Sequence, residues 1–313
     1  MKAGIVQELL GVTRPTLLKK ANESSIKKTK AGDHIFHWAD VAKIYQKINP
    51  IKIKNKTISI CQNKGGVGKT TSTINLGYLF SCIGKTLIID LDGQANLSQV
   101  FNAYKYDLVI KDILDEPQKI NEVITPITDN LHIIPNNMAF DHWKINSNTK
   151  RNVQYFLQRA LKPIKNNYDF ILIDCPPSID LAFELALNAS DYALILLDGH
   201  QFSLDGLHNI TNKITRIIEE DSQMTGLLNL KILGLAFTRY RDTVIVNQVI
   251  ETTKSVNEEN DYPLHIFETK IRENISIPES QTVKEPIFLH DENCIGSIDY
   301  FKLWLEILRQ ING

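Results

Sequence analysis

Two kinds of apolar pattern alternate along the chain. Short, mostly aliphatic runs at 58–61, 86–90, 131–135, 168–174, 192–197, 232–237 and 263–267 read as buried strands. Between many of them apolar positions recur at helical spacing: Ile74, Leu76, Leu79 and Phe80; Val153, Phe156, Leu157 and Leu161; about 204–220; and about 243–256. Strands alternating with helices predict an α/β fold over 57–313, a doubly wound, mostly parallel sheet with helices on both faces. Val109, Ile110, Ile113, Leu114 and Ile120 predict the packing face of a short helix, whereas 136–150 is polar and predicts a loop. His132 alternates outward from Ile133 and reads as structural or exposed. A final helix at 298–311 carries Ile298, Phe301, Leu305 and Leu308 at helical spacing. Its charges, Asp299, Lys302, Glu306 and Arg309, sum to zero, which favours core packing over a basic, membrane-surface helix.

Residues 1–50 have a different grammar. Residues 3–21 read as helix, turn, helix: Gly11 suits the turn, Thr13 can cap the second helix, and Pro15 is tolerated in its first turn. A basic, hairpin-like stretch at 25–36 follows, with Gly32 and Asp33 as turn chemistry, then a helix at 37–48 and a linker at 51–56. The order helix-turn-helix, wing, helix resembles the winged-helix arrangement of MerR-like DNA-binding domains, whose second helix enters the major groove. That places Arg14, Thr16, Lys19 and Lys20, with Lys27, Lys28 and Lys30 of the wing, as candidate contacts to bases or phosphates. Short helical modules also serve as protein-interaction or dimer arms.

Charge sharpens the division. The first 56 residues hold twelve basic and four acidic side chains, an excess of eight positive charges, in a chain whose net charge is −1. A basic segment joined to an acidic body points to a nucleic-acid partner for the segment. The 313 residues, 43% hydrophobic and 23% charged, are ordinary for a folded protein, and no apolar run reaches the roughly 20 residues of a membrane span. No signal-peptide pattern is present, and Cys61, Cys82, Cys175 and Cys294 are widely spaced, indicating neither a zinc site nor a disulfide framework. A cytoplasmic protein is expected.

Chemistry concentrates after the first strand, in Asn63-Lys-Gly-Gly-Val-Gly-Lys-Thr-Thr71. Glycines between a strand and a helix aim successive N–H groups, including that of Val67, at an anion, at the positive end of the helix. Gly65, Gly66 and Gly68 form the turn, Lys69 offers a charge to the β- and γ-phosphates, Thr70 a hydroxyl to Mg²⁺, and Thr71 extends the phosphate-binding set. Together these predict a P-loop, a phosphate-binding loop with a Mg²⁺ ligand; ATP is what the resemblance below implies. The second cation, Lys64, suggests charge stabilisation, in the manner of an arginine finger.

Lys64-Gly-Gly-Val-Gly-Lys-Thr70 resembles the deviant Walker A signature of ParA- and MinD-type ATPases. Two further motifs agree in order and spacing: Asp90-Leu-Asp92-Gly-Gln-Ala-Asn96, with Gly93 where the family usually has proline, and the Walker B-like strand ending in Asp174-Cys-Pro-Pro177. The resemblance covers nearly all of 57–313. It implies that Asp92 positions the attacking water, that Asp174 holds Mg²⁺ through water and Asp90 supports the metal's shell, and that the main chain near 238 or Thr238 serves the adenine. It further implies a partition ATPase in which two ATP-bound subunits face each other, with Lys64 reaching the partner's phosphates. Such a homodimer binds nonspecific DNA, through basic residues of which Arg239, Arg241, Lys270 and Arg272 are the candidates here, the alternative being a solvated face. A ParB-type centromere-binding protein stimulates hydrolysis, slow on its own with Asp92 alone to orient water. The implied location is nucleoid-associated, and the N-terminal domain would add site-specific operator or centromere binding. The competing readings are a nucleotide-switched transcriptional regulator and a MinD-like positioning ATPase. Where the family often has prolines after the 192–197 strand, this chain has Asp198-Gly-His-Gln201.

Overall fold

The computed structural model describes the chain apart from residues 30–31, 51–53, 104–105, 148, 199–203, 225, 227, 259–262 and 313. Seven strands form one sheet: β1 (Lys56–Cys61), β2 (Thr86–Asp90), β3 (Thr125–Pro126), β4 (Leu131–Ile134), β5 (Phe170–Asp174), β6 (Tyr192–Asp198) and β7 (Lys231–Thr238). Their order is β3-β4-β2-β5-β1-β6-β7, and every pairing is parallel except β3 with β4. A parallel sheet is covered on both faces, which is why these strands read as continuous apolar runs. The register sets Ile60 and Asp90 each opposite Asp174, so the carboxyl ends of β1, β2 and β5 lie level. Ligands of open α/β sheets gather at that edge.

The expected α/β architecture is present, with four local differences. The 136–150 stretch holds a helix, Ala139–Ser147, because Phe140 and Trp143, three residues apart, stack at 5.7 Å and are buried beneath its polar positions. The run at 263–267 is reduced to one bridge, Leu235 with Ile266, although Leu235 and Phe267 still donate backbone hydrogen bonds across it. The helix expected over 151–161 is a 3₁₀ turn, Val153–Tyr155, followed by Phe156–Leu161, after Asn152 turns the chain at φ +57°. The first strand begins at Lys56, one residue inside the expected linker, of which 51–53 lie outside the described residues. The 110–115 helix, the 231–238 strand and the outward, structural His132, hydrogen-bonded to the Tyr168 hydroxyl at 2.8 Å, are as expected.

The N-terminal region forms α1 (Ala3–Leu10), α2 (Arg14–Glu23) and α3 (Trp38–Ile48). Gly11 ends α1 in the left-handed conformation, φ 63°, which glycine adopts without steric cost. Among its described residues the hairpin stretch shows an antiparallel bridge, Lys28 with His34. This module is fused to the body rather than tethered. Trp38 is buried against Phe301 at 4.9 Å and Phe288 at 5.5 Å, its indole N–H donates to the Glu292 carbonyl at 2.8 Å, and Tyr45 meets Trp304 at 5.9 Å. Val6, Leu17, Phe36 and Val41 therefore belong to the same apolar cluster as Ile58, Phe80 and Leu172.

The C-terminal helix, Ile295–Asn312, buries Phe301, Trp304, Leu305 and Leu308, the core packing its pattern predicts. No described helix is long and apolar enough to cross a membrane.

Candidate nucleotide site

The loop after β1 turns through Gly66 (φ +77°) and Gly68 (φ +86°), positions at which a Cβ is strained, and delivers the chain into α4 (Lys69–Ser81). Val67 is buried and fastens the turn: its carbonyl accepts the Thr238 hydroxyl at 2.7 Å. Gln62 closes the other side, donating to the Leu196 carbonyl at 2.6 Å. The α4 helix lies so close to the sheet that a Cβ at Gly77 would stand 2.9 Å from Ile88. The loop's geometry is thus set by residues of β6 and β7 as well as by its glycines.

Lys69 curls back, its ammonium donating to the Lys64 carbonyl at 2.9 Å; burial pulls its pKa down, and the pull of Asp174 opposes that. The Thr70 hydroxyl donates to Asp174 Oδ2 at 2.7 Å. The other oxygen, Asp174 Oδ1, is buried without a hydrogen-bond partner. Burial drives the Asp174 pKa well above the usual carboxylate range, and the neighbouring Asp90 adds to this. An orphaned, buried carboxylate oxygen beside a threonine hydroxyl and a lysine fits a divalent cation. Among the described residues no group of three or more His, Cys, Asp and Glu side chains could hold a metal by itself. Mg²⁺ takes one or two protein ligands and completes its shell with phosphates and water.

Asp90, expected to support the metal's shell, lies opposite Asp174 in the sheet and is engaged by the protein itself. It is fully buried and accepts from the Ser98 amide (2.9 Å), the Ser98 hydroxyl (2.7 Å) and the Asp92 amide (3.1 Å). Burial pushes its pKa to about 7 despite these donors. Asp90 therefore holds the loop that carries Asp92. The Asp92 carbonyl accepts from Asn136 Nδ2 at 3.1 Å, and Asp92 Oδ1 accepts from the Gln94 amide at 3.0 Å. Ser98 and Asn136 are both fully buried, joined by the Asn136 amide on the Ser98 hydroxyl at 2.8 Å; no motif marked either of them.

Two cavities flank the loop. One of about 620 Å³ is lined by Lys69, Thr70, Asp92, Gln94 and Lys284 among others, which brings Asp92 to the face of the phosphate loop. The other, about 590 Å³, is lined by Thr238, Arg239, Ile277, Pro278 and Tyr300 among others. Gly66, Gly68, Thr71 and Gln281 border both, and Gln281 donates to the Thr71 hydroxyl at 2.6 Å. Of the two groups expected near the base, the main chain at 238 and the Thr238 side chain, the hydroxyl is engaged with Val67 O and with Leu197 O at 3.3 Å, so the side chain anchors the loop. Lys64 is exposed on the loop.

The basic candidates fall in two places. Tyr240 bridges to Arg272, gathering Arg239, Arg241, Lys270 and Arg272 at one edge. The three arginines are already matched with acids there: Arg239 with Asp198, Arg241 with Glu273, and Arg272 in a fork on Asp299. This compensation weakens the expectation that they bind DNA. Lys270 lies over the Tyr240 ring at 4.7 Å. In the N-terminal module Arg14, Thr16, Lys19, Lys27 and Lys28 are exposed, while Lys20 pairs with Glu23 at 2.9 Å. Lys30, and residues 199–201 of the loop after β6, lie outside the described residues.

Comparison with known proteins gives a consistent picture. An AAA domain family model matches residues 55–226. The chain is 32% identical to the sporulation initiation inhibitor protein Soj of Bacillus subtilis, over 80% of this chain and 98% of that protein. It is 33% identical to the chromosome-partitioning ATPase Soj of Treponema pallidum, over 81% of this chain and 97% of that protein. Among solved structures, a Borrelia burgdorferi protein described as a plasmid partition protein, bound to AMPPNP, superposes with a TM-score of 0.65 at 26% identity, covering 82% of this chain and 98% of that one.

Proposed function

The chain belongs to the ParA-type family of partition ATPases, and on that premise we propose that it is an ATP-dependent DNA segregation protein whose nucleotide site governs DNA binding. The observation that carries the nucleotide part is the convergence of Lys69, Thr70, Asp92 and Asp174 at the carboxyl edge of the sheet, with Asp174 Oδ1 left unpartnered. ATP places its phosphates against the loop amides and the Lys69 ammonium. Thr70 and Asp174 would hold Mg²⁺, which would supply charge neutralisation on the β- and γ-phosphates. Asp92, fixed by Asp90 and Asn136, orients the attacking water. A lone carboxylate in that role predicts slow basal turnover, raised by a ParB-type partner.

In this reading ATP closes a homodimer in which Lys64 reaches the phosphates of the second subunit, a role its exposure on the loop supports. The dimer then binds DNA without sequence preference, and the N-terminal module contributes site-specific contacts through Arg14, Thr16, Lys19, Lys27 and Lys28. Burial of the C-terminal helix supports partition over the membrane-positioning alternative.

Three full-length variants test this. Lys69→Ala should lose MgATP binding and ATP-dependent dimerisation in analytical ultracentrifugation. Asp92→Ala should bind MgATP and accumulate as dimer with turnover reduced at least about 100-fold; rapid hydrolysis by it would refute the role given to Asp92. Lys19→Glu with Lys27→Glu should abolish operator binding in a mobility-shift assay while sparing salt-sensitive binding to random DNA.

A further inference from the structure

The helix Ser276–Thr282 runs beside the nucleotide cavity and ends at Val283. Beyond it the Lys284 amide donates to Gln281 O at 3.1 Å and the Glu285 amide to Ser280 O at 2.9 Å, the paired bonds of a Schellman ending. Such an ending requires a left-handed residue where Lys284 stands, and Lys284 has φ +63°. Glycine is the residue that fills this position without strain; lysine is disfavoured there. The backbone would be better served by the residue that lacks the side chain, so the side chain is the feature to explain.

That side chain lines the same cavity as Lys69, Thr70 and Asp92. Among the described residues its ammonium has one hydrogen-bond partner, the neutral Asn102 Oδ1 at 2.7 Å, and it forms no ion pair. Asn102 is itself left-handed, φ +54°, at the end of the segment that follows Asn96–Val100. Lys69 has the same character: a lysine at this cavity whose hydrogen bond goes to a neutral oxygen, the Lys64 carbonyl. Two lysines whose hydrogen bonds go to neutral oxygens, facing a shared cavity beside a glycine nest, form an anion site.

We propose that Lys284 is a second anion-binding cation of this cavity, contacting the polyphosphate of the nucleotide from the 276–285 segment as Lys69 does from the loop. The assignment rests on the nucleotide reading above. On binding, Lys284 exchanges the Asn102 amide oxygen for phosphate oxygens, a stronger charge-assisted partner. The segment bearing it also carries Gln281, which holds Thr71, so the contact is made by an element already seated on the first turn of α4.

The test is isothermal titration of the full chain with MgATP and with MgADP, alongside thermal melts. Lys284→Gly should weaken MgATP binding about tenfold, weaken MgADP binding less, and melt at the same or a higher temperature because the strained position is relieved. Lys284→Arg should retain most of the affinity. Asn102→Ala, which frees the ammonium, should bind MgATP as well as the unaltered protein or better. Unchanged MgATP affinity in Lys284→Gly, with the unaltered protein binding normally, overturns the assignment alone. Equal losses in Lys284→Gly and Asn102→Ala also overturn it, by showing that the bridge matters and the charge does not. Failure of the unaltered protein to bind MgATP overturns the nucleotide reading and this one with it.

Discussion

Replacing Trp38 with alanine should unseat the N-terminal module and weaken the whole chain. Trp38 begins α3 and is 1% exposed, yet everything its ring faces across the junction comes from more than 240 residues later: Phe288, Phe301 and the Glu292 carbonyl. Burying a tryptophan removes roughly 200 Å² from water, worth roughly 5 kcal/mol at about 25 cal/mol/Å². Residual compaction of the unfolded chain lowers that figure, and truncations of large buried aromatics cost about 3–5 kcal/mol. Losing the indole N–H leaves the Glu292 carbonyl without its donor and adds about 1 kcal/mol. The expected loss is about 4 kcal/mol in urea unfolding, and Trp38→Phe, which keeps a ring and removes the N–H, should lose about 1–2 kcal/mol. Hydrogen exchange read by mass spectrometry should show lost protection in both 38–48 and 287–305. A cost under about 1 kcal/mol, with faster exchange confined to residues 1–48, would refute the shared core and restore a tethered module.

Two further outcomes follow from the site. Asp90 has a folded pKa of about 7, raised by burial above its unfolded value, so the folded state keeps a proton that the unfolded chain releases above about pH 4. Its contribution to stability is therefore greatest below about pH 4, declines as pH rises to about 7, and is level beyond that. Urea midpoints of Asp90→Asn between pH 5 and 8 should lack this decline, and parallel curves for the two proteins would refute it. Thr238→Val removes the hydroxyl that fastens the Val67 carbonyl and should cost about 1–3 kcal/mol while weakening MgATP binding through a loosened loop. A defect in discrimination between ATP and GTP, with stability unchanged, would instead return Thr238 to the base.

The fold was legible where one element's pattern depends on its own residues. Runs such as 86–90 and 192–197 are apolar throughout because parallel strands are covered on both faces, and nothing distant is needed to recognise them. Residues 139–147 were not legible in this way: two aromatics three residues apart sit among polar neighbours, and only their burial shows that they are a face. The stub at 266 fails for the opposite reason. Its residues suit a strand, yet among the described residues the Leu235 bridge is its one strand-like pairing. The fusion of the N-terminal module was invisible because Trp38 looks like an ordinary helix residue until Phe288 and Phe301 are placed beside it.

The site divides along the same physical line. On the proposed nucleotide reading, Gly66, Gly68, Lys69, Thr70 and Asp174 answer to what a phosphate and a cation require, so residue type and spacing mark them in the sequence. Ser98, Asn136 and Gln281 are fixed by what those residues require in turn, and that demand is met from anywhere in the chain: Asn136 serves a carbonyl 44 residues away and Gln281 a hydroxyl 210 residues away. A serine or glutamine at such a distance carries no local mark. Asp90 shows the cost of reading the inner layer alone. Its place in a motif points only to a metal's shell, and three donors from Ser98 and Asp92 add that it supports the residue two positions on. Lys284 is the intermediate case. Its left-handed backbone was not visible in the letters, but once seen it separates what the turn needs, a glycine, from what the chain has, a cation at the cavity wall.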